Sequence, residues 1–143
     1  MLELLPAPYA HHVFPGYENI DYDSALIRKI IASDAPDWKA ALSSVKGVYM
    51  LTDMNNGKRY IGAAYGDGGI WGRWQNYMYS LHGWNTELVK LYDEHGEEYM
   101  QKFKFTLLEV YSASTLDEYI IKRENYWKGV MLSCDERYGY NDN

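Results

Sequence analysis

The sequence predicts an α/β fold of the α+β type: a small three-stranded antiparallel sheet flanked by helices, with a helical extension at the N-terminus. Three observations carry this. Residues 47–62, GVYMLTDMNNGKRYIG, are two short apolar and aromatic runs joined by Asn-Asn-Gly, which reads as a β-hairpin. Residues 103–111, FKFTLLEVY, supply a third run with strand character. The segments around them carry apolar residues at three- and four-residue spacing, as helices with one buried side do.

Residues 1–22 hold Pro6, Pro8, Pro15 and many aromatics, and read as an extended arm that wraps the domain. His11 and His12 are adjacent, so their side chains point differently, and no carboxylate or cysteine stands at ligand spacing; a structural role is the better reading. Residues 23–33 form a helix with Asp23 or Ser24 as cap and Leu26, Ile27, Ile30 and Ile31 as its apolar stripe. A second short helix follows over 36–42, with Pro36 in its first turn and Trp38 as its anchor. Residues 1–44 are thus an arm with short helices, and residues 45–143 the main domain.

Along the first hairpin strand Val48, Met50 and Thr52 face one side and Tyr49, Leu51 and Asp53 the other. A loop of even length keeps Tyr49 and Tyr60 on one face. Two residues at Asn56-Gly57 do so, and four from Asp53 to Asn56 place the tyrosines directly opposite each other. Gly47 and Gly62 bracket the pair, where a missing side chain lets another group approach closely. The glycine-rich AAYGDGGIWGRW lacks a Gly-Lys-Ser/Thr ending and dinucleotide spacing, so it is a flexible entry to a helix over 70–81. On that helix Arg73 and Tyr77 lie one turn apart and share a face. His82 trails the same helix, either near a site or as a hydrogen-bonded structural histidine. A helix from Thr86 to Glu94 starts at an Asn85 cap and ends at Gly96. In the third strand Phe103, Phe105, Leu107 and Glu109 oppose Thr106, Leu108 and Val110. The last helix, over 115–131, has Ser114 or Thr115 as cap with Asp117 or Glu118 as reciprocal partner. Its apolar stripe of Leu116, Ile120, Trp127 and Met131 is interrupted by Glu124. A carboxylate there is costly to desolvate unless Arg73 or Lys122 pairs with it, or a metal ion binds it.

A chain of 143 residues with 47% hydrophobic and 24% charged residues suits one folded domain rather than a disordered segment. The 15 tyrosines and 5 tryptophans read mostly as an aromatic core with hydroxyl tips at the surface. One cysteine, Cys134, excludes an internal disulfide and an all-cysteine metal site. No apolar run is long enough to span a membrane and no secretory signal opens the chain, so an intracellular, cytoplasmic protein is expected. The net charge of −6 argues against a general phosphate-gripping surface. Its distribution is uneven: residues 47–85 carry three cations against two carboxylates, whereas residues 86–143 carry seven against twelve.

Gly47-Val48-Tyr49 and Tyr60-Ile61-Gly62, with ten residues between the tyrosines, are followed by Arg73 on the next helix, Glu124 on a later one and Asn141 in YGYN. This order resembles the signature of the GIY-YIG nuclease family, of restriction-enzyme-like or stand-alone type, over residues 45–142. The resemblance implies the GIY-YIG fold and a metal-dependent endonuclease that hydrolyses DNA phosphodiester bonds with one divalent cation. Glu124 would bind that ion, Mg²⁺ or Mn²⁺, since carboxylate and water are hard ligands. Arg73 would clamp the scissile phosphate, and Tyr77 occupies a position that is usually His or Tyr. Tyr49 would be the base, its phenolate favoured by Arg73 and the ion, with Tyr60 positioning water or phosphate; the two roles are exchangeable. Asn141 would orient a neighbouring backbone or ligand. Ala63 stands where some members have a lysine, so that lysine's part is absent. DNA is the implied partner, with a homodimer or partner domain supplying affinity. The alternative is a catalytically silent GIY-YIG fold used as a DNA-binding or protein-interaction module.

Overall fold

A computed structural model describes residues 12–143, so Pro6, Pro8 and His11 lie outside the described residues. The hairpin pairs β2 (Val45–Asp53) with β3 (Arg59–Ala64). Its closing backbone hydrogen bond runs from Asp53 N to Lys58 O, so the loop is the four residues 54–57, one place later than the four-residue loop considered from sequence. Gly57 supplies the positive φ of 82° that this turn needs. Because the loop is even, Tyr49 and Tyr60 share a face, but they are staggered rather than opposite: Tyr49 pairs with Gly62 and Tyr60 with Leu51. The stagger explains Gly62, and the neighbouring strand explains Gly47. The Tyr49 ring lies across Gly62, where any Cβ would collide with it, and the Glu109 carbonyl occupies the place of a Cβ at Gly47.

The sheet has four strands, not three, in the order β1-β4-β2-β3 with every neighbour antiparallel. Central β4 (Phe103–Ser112) pairs on one side with β2 and on the other with β1 (Asp21–Asp23). The sequence of β1, Asp-Tyr-Asp, has no apolar alternation. Pairing to β4 makes it a strand, which is why local pattern missed it.

The two sheet faces hold different cores. Tyr49, Leu51, Tyr60, Phe103, Phe105 and Leu107 face the larger one, with Ile27, Ile30 and Ile31 of α1 (Ser24–Ala32), Trp38 and Leu42 of α2 (Pro36–Ser43), and Trp74 and Tyr77 of α3 (Gly69–Ser80). Val48 and Ile61 face the smaller one, closed by Ile120 of α6 (Asp117–Met131). Over its described part the arm packs on α2: Trp38 Nε1 donates to the His12 carbonyl at 2.6 Å and Tyr17 Oη to the Ala41 carbonyl at 2.8 Å. Asp23 caps α1 by accepting from Leu26 N. Asn85 likewise caps α4 (Thr86–His95), which Gly96 ends before the single-turn α5 (Glu97–Met100).

Two expectations for the later half change. A β-bulge sets Val48 opposite Glu109 and Tyr49 opposite Leu107, leaving Leu108 extra. Glu109 therefore leaves the Phe103–Phe105–Leu107 face for the α6 face, where it accepts from Arg123 Nε and Trp127 Nε1, both at 2.8 Å. The capping box does not form. Leu116 is the N-cap of α6 without a side-chain bond, and at 69% exposure it is not in the apolar stripe; the Ser112, Ser114 and Thr115 hydroxyls bond one another instead.

Asp53 joins the hairpin to the rest of the chain. Fully buried, it accepts from the Tyr99 and Tyr140 hydroxyls at 2.6 Å each and from Asn55 N at 2.9 Å. These bonds hold the C-terminal segment against β3, where Gly139 bridges Arg59 and Asn141 follows.

Candidate active site

Where β3 runs into the glycine-rich loop and α3 begins, the surface opens into a cavity of about 460 Å³. Its wall includes Tyr60 and Ala63 from β3, Tyr65 from the glycine-rich loop, Gly69, Gly72, Arg73 and Asn76 from α3, and Glu124 from α6. The loop is not a loose lead-in. Gly68 and Gly69 take φ values of 83° and 57°, and a Cβ on Gly69 would strike the Val45 carbonyl, so the start of α3 is pressed onto the α2–β2 junction. That contact sets the axis on which Arg73 stands.

Arg73 is held from behind. Its Nε donates to Tyr49 Oη at 3.1 Å, its Nη2 to the Gly83 carbonyl at 3.4 Å, and its guanidinium lies 4.9 Å over the Tyr77 ring. Tyr77 Oη in turn hydrogen-bonds Tyr49 Oη at 3.2 Å. The two phenols thus fix the cation from the core side while it lines the cavity. Burial, the largest influence on Arg73, opposes its charge; the surrounding phenols outweigh it and keep the group protonated.

The two motif tyrosines are not equivalent. Tyr49 is fully buried and absent from the cavity wall, whereas Tyr60 is 8% exposed and part of it. Burial raises both phenols above their ordinary pKa, more than Arg73 lowers either. Arg73 by itself therefore does not favour a phenolate at Tyr49, because desolvation of the anion exceeds the attraction.

Glu124 reaches the cavity from the inner side of α6 with its side chain 17% exposed. Its ion partner is Lys128, one turn on and distant at 3.9 Å, rather than Lys122. Burial raises its pKa, with Lys128 and then Arg73 pulling it back. Among the described residues no three His, Cys, Asp or Glu side chains gather as a metal cluster. Glu124 is therefore a lone carboxylate with weakly committed oxygens, an environment suited to a cation that keeps most of its water.

Asn141 lies behind the wall. Its Oδ1 accepts from Ile61 N and its Nδ2 donates to Ile61 O, both at 2.9 Å, so the amide pairs with the outer edge of β3 as a strand would. His82 is outside the cavity wall. Its ring is packed between Trp84 and Tyr92, its Nδ1 accepts from Trp84 N at 3.0 Å, and burial lowers its pKa against the pull of Asp93. The structure thus gathers Tyr60, Arg73 and Glu124 at the cavity, with Tyr49 and Tyr77 behind Arg73, Gly62 under Tyr49, and Asn141 behind β3. Sequence reading missed Asn76 and Tyr65 in the wall. Asn76 was accessible to it, three residues after Arg73 on one helix face.

No protein-family model matches the sequence and no curated protein does. Two solved structures match the fold. The catalytic domain of the homing endonuclease I-TevI is 25% identical, with a TM-score of 0.52 over 68% of this chain and 98% of that one. A point mutant of the intron endonuclease I-TevI catalytic domain is 24% identical, with a TM-score of 0.54 over 69% of this chain and 94% of that one. Nearly the whole of each catalytic domain is thus matched by about two-thirds of this chain, and the four-stranded sheet with its helices has the same architecture. The chain thus has the fold of a GIY-YIG catalytic domain and is similar to these two structures.

Proposed function

We propose that the chain is an endonuclease that hydrolyses DNA phosphodiester bonds at the cavity between β3, α3 and α6, with one divalent cation on Glu124. The observation that carries this is the convergence of an arginine, a phenol and a lone carboxylate, from three separate elements, on one cavity. Hydrolysis needs charge neutralisation at the phosphoryl oxygens and an oriented water. Arg73 answers the first: with Nε and one Nη2 hydrogen committed to Tyr49 and Gly83, its remaining N–H groups are left to grip a phosphate. Tyr60 answers the second, because its hydroxyl is the motif phenol that a water in the cavity can reach. Tyr49 and Tyr77 are positioning residues that aim Arg73, and Asn141 keeps β3, and hence Tyr60, in place.

A hard cation such as Mg²⁺ or Mn²⁺ held by Glu124 would supply further neutralising charge and acidify water in the site. The donor set fits such an ion, since it offers a carboxylate and open space rather than imidazole or thiolate. Affinity for DNA beyond this cavity would come from a second copy of the chain or a partner domain, because the chain as a whole repels phosphate.

The test is incubation of the purified protein with supercoiled plasmid and Mg²⁺, against the same mixture with chelator. Nicking that disappears with chelator is expected. Arg73→Ala should lower the rate by about a hundredfold or more with little change in Tm. Glu124→Gln should remove both the nicking and any Mg²⁺-induced rise in Tm. Binding of DNA without nicking under any divalent ion would favour the catalytically silent module, which the net charge of −6 also suits.

A further inference from the structure

The glycine-rich loop borders two cavities, not one. On its far side lies a second, of about 350 Å³, and Tyr65, Gly66, Asp67 and Gly69 belong to the walls of both. Residues 65–68 are all exposed, so the loop stands as a ridge between them. The ridge is firmly built. Gly69 N donates to the Gly66 carbonyl at 3.1 Å and Gly68 takes φ 83° and ψ −4°, which makes a type II turn with Asp67 at its first corner. Lys46, the cation of the second wall, is bound to the Thr115 carbonyl at 2.7 Å and to Asp117 at 2.9 Å. Arg73 is thus the cation left to face a phosphate, and it shares its wall with Asp67.

Asp67 does none of the local work of a turn aspartate, which ordinarily accepts from a nearby backbone N–H or caps the next helix. Although α3 begins two residues later, no side chain caps it, and the Asp67 carboxylate hydrogen-bonds to no described residue. A carboxylate repels phosphate. In a wall that receives DNA its remaining partners are hydrogen-bond donors, and on DNA these are the exocyclic amino groups of the bases. The major groove, about 12 Å wide, has room for a turn that carries side chains, whereas the minor groove is about 6 Å wide. In the major groove cytosine offers N4 as a donor, while adenine sets the N7 acceptor beside N6 and so repels the second carboxylate oxygen. We infer that Asp67 is a specificity-determining residue: with the scissile phosphate on Arg73, the Gly66–Gly69 turn enters the adjoining major groove and Asp67 accepts from N4 of a cytosine beside the cleaved bond. This inference rests on the nuclease reading and deepens it by naming the base that is read.

The experiment sequences the ends made by partial digestion of mixed-sequence DNA in Mg²⁺, at equal extent of cutting, for wild type, Asp67→Ala and Asp67→Asn. Wild-type ends should show cytosine enriched about fivefold at one fixed position beside the cut. Asp67→Ala should lose that enrichment. Asp67→Asn should turn it toward adenine, because a carboxamide accepts from N6 and donates to N7 together. The Tm of both variants should match that of wild type, since the side chain is exposed and holds no partner in the fold. Ends without base bias, a cytosine bias that survives in Asp67→Ala, or a bias toward guanine or thymine overturns the inference and leaves the nuclease reading intact. Complete loss of cutting in a folded Asp67→Ala also overturns it, since a base reader is not needed for the chemistry. A wild type that does not cut overturns both.

Discussion

At the scale of single residues, the two motif tyrosines show how one sequence signature divides into different physical roles. Tyr49 is covered by Gly62, Tyr77 and Trp74 and offers its hydroxyl to Arg73, while Tyr60, two places away across the hairpin, reaches the cavity. Both phenols titrate above their ordinary pKa because burial disfavours the anion. If the Tyr60 phenolate receives the water's proton, its population grows about tenfold per pH unit below that raised pKa. The cleavage rate at saturating Mg²⁺ should therefore climb on the alkaline side of neutrality. Tyr60→Phe should lower the rate and flatten that climb; Tyr49→Phe should lower the rate through Arg73 but keep the climb. A flat profile in Tyr49→Phe and a sloping one in Tyr60→Phe would exchange the two roles. The alternation of a strand put both tyrosines on one face, but which was covered depended on the register, and the register on where the loop closed.

At the scale of elements, α6 is anchored to the sheet through Glu109 as much as through Ile120. The bulge at Leu108 delivers the Glu109 carboxylate to Arg123, Trp127 and Tyr111, and the side chain is 16% exposed. Its pKa is held down at about 2, chiefly by the Arg123 hydrogen bonds, which overcome burial; Tyr111 and Trp127 add to them. The folded value lies below the unfolded one, so this stabilisation is fully present above the unfolded pKa near 4.5 and is lost as pH falls from there toward 2. Allowing for solvent screening it amounts to about 2 kcal/mol. Urea unfolding of wild type against Glu109→Gln should show that gap at pH 7 and see it close as the pH falls through the acid range. A gap unchanged by acid would mean that packing, not charge, links α6 to β4. Because Glu124 rides on the same helix, its placement in the cavity depends on this anchor. Periodicity could not foresee it, since a bulge flips a residue to the other face of the sheet without a mark in the local pattern.

At the scale of the whole molecule, charge and sheet topology set what the cavity can do. With a net charge of −6, and Arg73 as the cation in the cavity wall, few counterions are released when DNA binds. Each phosphate contact contributes about −0.9 to the slope of log affinity against log salt, so a slope no steeper than about −3 is expected from anisotropy titrations in NaCl. A much steeper slope in the isolated chain would reveal a basic surface assembled by association of copies. No helix among the described residues is long and apolar enough to cross a membrane.

The sequence by itself determined the hairpin, the shared face of its tyrosines, the helices carrying Arg73 and Glu124, and the oddity of a carboxylate on an apolar stripe. Each of these is a local matter, set by side-chain period, by turn chemistry or by the cost of burying charge. Tertiary structure alone decided that Asp21–Asp23 is a strand, that Glu109 changes face, and that Tyr60 rather than Tyr49 meets the cavity. Those outcomes depend on contacts between residues far apart along the chain, such as β1 with β4 and the Tyr49 ring with Gly62, whose energies no local window of sequence contains.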